Sequence, residues 1–155
     1  MAVTKFLARD LAIDIFISDS GTDSGTPASG DSDWTPIGGL ATLTHAPSAT
    51  EADTTTFDSD GHGEHMTAQR TEQWTLAGFT LEDVTSGTRN AGQAAVEALA
   101  QEVGLDSLGW FKITSPGGNT IEFQASATVT LADGGHNDAA KWQAVLKVSG
   151  ASIFN

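Results

Sequence analysis

From Thr120 to Leu131 the chain alternates without a break. Ile121, Phe123, Ala125, Ala127, Val129 and Leu131 are apolar, and Glu122, Gln124, Ser126, Thr128 and Thr130 between them are polar. Successive side chains of a strand point to opposite faces, so this stretch predicts a long strand with one face in a core. Shorter runs of the same period occur along the chain. Leu11, Ile13, Ile15 and Ile17 share one side of a strand starting at Asp10, and Ile37, Ala41 and Leu43 share a face of another that Trp34 opens. Pro36, Gly38 and Gly39 give that second strand an irregular start, and Ala46-Pro47-Ser48 is expected to end it. A strand over Trp110–Thr114 turns at Ser115–Asn119, and Trp142, Ala144, Leu146 and Val148 define the last strand.

Helical periodicity is found once, over 91–103. Ala95, Leu99 and Val103 form its packing stripe with Val96 beside them, while Gln93, Glu97 and Gln101 form the wet face. Asn90 fits its N-cap and Gly104 its C-cap. The expected fold is therefore mainly β: an antiparallel β-sandwich or partly open barrel with one flanking α-helix, in a single domain over 1–155. Residues 1–9 read as an N-terminal arm and 150–155 as a C-terminal one. Asp19 to Asp33, rich in Ser, Gly, Asp and Thr, reads as a solvated loop whose spacing is not that of an EF-hand.

One stretch is too long for a compact domain of this size. Ala52 to Leu81 begins as a Thr-rich extended run, turns at Asp58-Ser59-Asp60-Gly61-His62-Gly63, and returns through Trp74 and Leu76. Its apolar anchors sit at the base and its distal part is polar, the gradient a projecting hairpin requires.

Composition narrows the function. The 155 residues hold 20 Asp and Glu against 7 Lys and Arg, a formal net charge of -13. Phosphate contacts need Lys and Arg, so a nucleic-acid-binding surface is disfavoured. The balance still suits a wall that nucleic acid passes without sticking, since like charges repel within a Debye length of about 8 Å at physiological salt. Abundant Asp with four lysines also resembles proteins of salt-rich hosts. Cysteine is absent, which excludes disulfides and thiolate chemistry. No signal layout opens the chain, and no window reaches the apolar length of a membrane span.

No catalytic constellation emerges. His62 and His65 stand near Asp58, Asp60 and Glu64, but a Gly-rich tip on extended chain does not hold ligands convergently, so no metal or cofactor is expected. No G-x-S-x-G elbow occurs, and Asp133-Gly134-Gly135-His136 joins two strands rather than opening a helix. Trp34, Trp74, Trp110 and Trp142 each lie near the start of a strand, as core pillars would. The competing reading is a glycan-binding or surface-binding sandwich, which needs two or three of these rings side by side on an open face.

The order of features resembles the tail tube (major tail) proteins of long-tailed, non-contractile viruses. Trp34-Thr35-Pro36-Ile37-Gly38-Gly39 is similar to the family's W-x-x-I-G-G strand entry. Asp53 to Gly61 resembles its D-x-T-x-x-D-S-x-G loop, and Trp74-Thr75-Leu76-Ala77-Gly78 its W-x-L-x-G strand. Gly92 to Leu99 resembles its G-Q-x-A-x-E-A-L helix, and Asp138 to Gly150 its closing strand. The family often has a large residue after the loop glycine, where this chain has His62-Gly63.

The resemblance implies a non-enzymatic virion protein, assembled in the host cytoplasm, whose hexameric rings stack into a hollow tail tube that DNA traverses. Its partners would be itself and other tail proteins: tape measure, tail terminator and tail tip. The implied ring-stacking element is Asp53, Thr54, Thr55, Thr56, Phe57, Asp58, Ser59, Asp60, Gly61, His62, Gly63, Glu64, His65 and Met66. Candidate lumen-facing residues are Gln69, Thr71, Gln73, Glu122, Gln124 and Thr128. Ile153 and Phe154 are candidates for an inter-subunit arm.

Overall fold

A computed structural model describes residues 5–17 and 33–155. The expected loop from Asp19 onward thus lies, apart from Asp33, outside the described residues, as do 1–4 of the N-terminal arm. Within them the chain forms β1 (Ala12–Phe16), β2 (Trp34–Pro36), β3 (Leu40–Asp53), β4 (His65–Phe79), α1 (Ala91–Leu99), β5 (Leu108–Thr114), β6 (Thr120–Asp133) and β7 (Lys141–Phe154). These seven strands make one sheet in the order β2-β1-β5-β6-β7-β4-β3, and every neighbouring pair is antiparallel.

The connectivity forces this sheet to curl. β2 and β3 are its two opposite edges, yet Ile37 to Gly39 are the only residues between them. Laid flat, six strand spacings would hold the edges about 29 Å apart, whereas the link from Pro36 to Leu40 reaches about 14 Å. The sheet therefore rolls into the partly open barrel that the alternation suggested. Its interior takes Ile13 and Ile15 from β1, Phe111 and Ile113 from β5, Phe123 and Ala125 from β6, Trp142, Ala144 and Leu146 from β7, and Trp74 and Leu76 from β4. Val96 of α1 is also fully buried in this core.

Packing at the corner explains three of the recognised motifs at once. A Cβ on Gly78 would lie 2.0 Å from the Gly39 carbonyl oxygen, and one on Gly92 would lie 2.2 Å from that of Pro36. Glycine at both positions lets β4 and α1 clamp the β2–β3 link from two sides. Polar side chains complete the clamp. Asn90 caps α1 by accepting from the Gln93 amide at 3.1 Å, and it also accepts from the Gly38 amide at 3.3 Å. The Gln93 side chain donates to the carbonyls of Gly38 and Phe79 at 2.9 and 2.8 Å and accepts from the Leu81 amide at 3.1 Å.

Several expectations need correction. Ala46-Pro47-Ser48 does not end β3, which runs through Pro47 to Asp53. β3 is an edge strand, and a proline there forfeits no bond that the ladder needs. Gln93 is not on a wet face but is fully buried, and Glu97 is largely covered, holding Arg89 bidentately and accepting from Trp142 Nε1 at 3.0 Å. The helix stops at Leu99 with Ala100 as its C-cap. Val103 is 82% exposed instead of packing, and Gly104, at φ 67°, opens a short 3-10 turn. The last residues are not a detached arm: β7 bulges near Gly150 and continues, pairing Ile153 with Glu122 and Phe154 with Ile121.

Candidate assembly surfaces

β4 leaves the barrel midway. Its pairing with β7 ends at Gln73 opposite Lys147, while its pairing with β3 continues from Ala46–Gln73 out to Asp53–His65. Beyond Gln73 the two strands form a ribbon about 26 Å long with no third strand beside it. Apart from half-buried Ala52 and Glu72 its residues are exposed. At the root Glu72 accepts from Ser152 Oγ of β7 and pairs with His45 Nε2 of β3 at 3.1 Å, and the His45 ring stacks on Trp74 at 4.1 Å. The ribbon is thus fastened to both neighbouring strands where it departs.

The tip, 54–64, is built by its own hydrogen bonds. The Thr54 amide donates to the Glu64 carbonyl at 2.9 Å, and the Glu64 amide donates to Thr55 Oγ1 at 2.9 Å. The Thr56 amide donates to Ser59 Oγ at 3.1 Å, and the Ser59 amide returns a bond to the Thr56 carbonyl at 3.1 Å. This reciprocal cap closes a 3-10 turn over Phe57–Ser59, after which Asp60 and Gly61 reverse the chain with φ of 48° and 79°. Ser59 is buried beneath the turn, while Phe57 projects with no cover at all. Thr55 also binds the Asp53 carboxylate, and bonds from its hydroxyl and then its amide hold that carboxyl below its ordinary range. Asp83, in the loop beyond β4, is lowered by the Thr85 amide and then by Ser86.

The polar candidates gather on one surface. Across the sheet Gln73 stands beside Lys147 and Lys147 beside Ser126. Thr75, Val145 and Thr128 form the next row, and Gln124 pairs with Ser149. All lie opposite the buried residues of their strands, so Gln73, Gln124 and Thr128 share the outer face of β4, β7 and β6. Gln69 and Thr71 continue this face along the ribbon, and Glu122 continues it toward β5. Thr, Ser and Gln dominate it. Among the described residues its barrel part carries Lys141, Lys147 and Glu122 as charged side chains, so it is not an acidic wall. The carboxylates concentrate elsewhere, with Glu51, Asp53, Asp58, Asp60 and Glu64 at or next to the tip.

Other predicted positions are placed as follows. His62 and His65 are exposed, and His65 lies 3.7 Å from Glu51. Among the described residues no three His, Asp or Glu side chains converge on a metal position. Trp74 and Trp142 are buried; Trp34 lies against Phe16 edge-on and under the Lys112 ammonium at 4.5 Å. The rings do not form an open platform of the kind glycan binding needs. Lys112 also faces Asp14, whose carboxyl is raised by burial and only partly lowered again by that lysine. Ile153 and Phe154 are 42% and 71% exposed at the end of β7. Sequence reasoning passed over Lys141, Lys147 and Phe79. The signal available for the lysines was a cation within a run of otherwise neutral outward positions.

No family model and no curated protein matches the chain in sequence. Solved structures do match. A chain in the virion of a native gene transfer agent particle superposes with a TM-score of 0.68 at 17% identity, over 97% of this chain and 99% of that one. A chain in the tail of an empty gene transfer agent particle, of C6 symmetry, gives 0.67 at 18% identity over the same shares. The SPP1 tail tube gives 0.67 at 13% identity, over 97% of this chain and 79% of that one. The likeness spans the barrel, the helix and the ribbon together, and the fold is the tail-tube fold.

Proposed function

We propose that this chain is a structural, non-enzymatic subunit of a virion tail tube. Copies join side by side into hexameric rings, the rings stack into a hollow tube, and DNA passes through the bore without specific binding. The tail terminator, tape measure and tail tip proteins are its further partners. The observation that supports this most is the near end-to-end match to tail structures in a molecule whose ribbon has nothing to pack on within its own chain. A free two-stranded ribbon is marginal in water, and its open edges invite another chain. The free edge of β3 supplies the ring contact, and the ribbon supplies the contact between rings. The Thr, Ser and Gln face of β4, β7 and β6 suits the bore: it is wet and nearly neutral, and it lacks the Arg clusters that grip phosphate.

Negative-stain microscopy of the purified protein over a range of concentration and salt tests the reading. Hollow stacked rings are expected. A protein that stays monomeric throughout, even with tail fragments added as seeds, would overturn it.

A further inference from the structure

Two exposed phenylalanines mark the opposite ends of β4. Phe57 stands at the ribbon tip with 108% relative exposure, and Phe79, the last residue of the strand, is 45% exposed. The strand between them has a contour of about 46 Å. Their surroundings differ in sign. Within 51–65 there are five carboxylates and no Lys or Arg, and Asp58 and Asp60 flank the Phe57 turn. Phe79 sits across the β4–β7 ladder from Lys141, exposed on the same face, with Asp133 as the partner of Lys141 on β6. The other cations near that end are engaged, Arg89 with Glu97 and Lys112 with the Trp34 ring.

A two-fold contact between tips would set five carboxylates against five. A head-to-tail contact sets an acid-flanked aromatic against a lysine-flanked one, and such contacts repeat into open stacks. The tip is already fixed by hydrogen bonds within 53–64, so docking orders little new chain. A large uncovered aromatic is also the side-chain type that dominates interface energies.

We infer that Phe57 is the anchor by which one copy docks on the next, and that its seat is the Phe79–Lys141 end of the adjacent copy. The rings pack on each other, and Asp58 and Asp60 meet Lys141. This inference rests on the tube reading and names the partner surface of the ribbon.

The chain has no cysteine, so paired cysteines report the contact cleanly. Phe57→Cys with Phe79→Cys, oxidised under assembly conditions, is expected to give a ladder of disulfide-linked chains. The two sites lie at opposite ends of one molecule, so such links join copies. A ladder no stronger than that of either single variant would overturn the seat. Phe57→Ser is expected to keep the wild-type melting temperature and to cut tube yield at least about tenfold; wild-type yield would overturn the anchor. Lys141→Glu should block stacking, and adding Asp58→Lys should restore it. Failure of either step counts against the charge match. Each of these outcomes leaves the tube reading standing, which falls only if the wild-type protein makes no tubes.

Discussion

The barrel and the ribbon are made from the same two strands and are held by different forces. In the barrel half of β4, Trp74 and Leu76 are buried beside Leu146 and Ala144 of β7, and apolar burial carries the stability. In the ribbon half the same strand shows solvent on both faces and keeps only its ladder to β3. Core burial explains why the domain folds, and its absence beyond Gln73 explains why the ribbon has a use only in company. The turn at the tip compensates locally: side-chain hydroxyls of Thr55, Thr56 and Ser59 satisfy backbone groups that no third strand reaches.

This contrast can be broken from either side. Trp142→Ala empties a fully buried site in the barrel and should cost about 3–5 kcal/mol, read as a large fall in melting temperature. Gln93→Leu leaves two carbonyls and an amide of the corner unpaired. The expected loss is about 3 kcal/mol, with hydrogen exchange fastest at Gly38 to Leu40. Deleting Thr55–Met66 joins the strands just beyond the Glu51–Thr67 pair and should change barrel stability by less than about 0.5 kcal/mol while abolishing tubes. A barrel that melts well below wild type after this deletion would show that the two halves are not separable.

The smallest effect is electrostatic. The Asp53 carboxyl is lowered from its ordinary 3.8 by Thr55, so its contribution to tip order is complete above 3.8 and is lost as pH falls through the lowered value. The Thr55 amide proton should titrate with a midpoint under 3.8, and Asp53→Asn should remove that titration.

What could be read from the sequence follows the same division. β6 was legible because its alternation reflects one buried face, and the ribbon because its polar distal half has nothing to bury. Pro47 misled because its missing amide matters inside a sheet and not at an edge, and edge position is a property of topology. Gln93 misled because a glutamine on a helix reads as solvent-facing until the Gly38 and Phe79 carbonyls appear beside it. The helix end misled because α1 packs through Gly92, Gln93 and Val96 rather than through the stripe of larger residues. Tip order depends on hydroxyl geometry between residues three and nine apart, which no periodicity encodes. The shared face of Gln73, Gln124 and Thr128 depended on the register to β7, which only the folded sheet supplies.

Because β4 is continuous from His65 to Phe79, the ribbon is not hinged to the barrel but is the same beam extended. A pull at the tip runs along the strand. It loads the bonds to β3 and β7 in shear, all together, instead of peeling them one by one. Glu72, tied to Ser152 and His45 at the point of exit, stiffens the beam where bending stress is greatest. A filament of such units would carry tension from one subunit to the next through backbone ladders, and bending would be taken up at the contacts between copies.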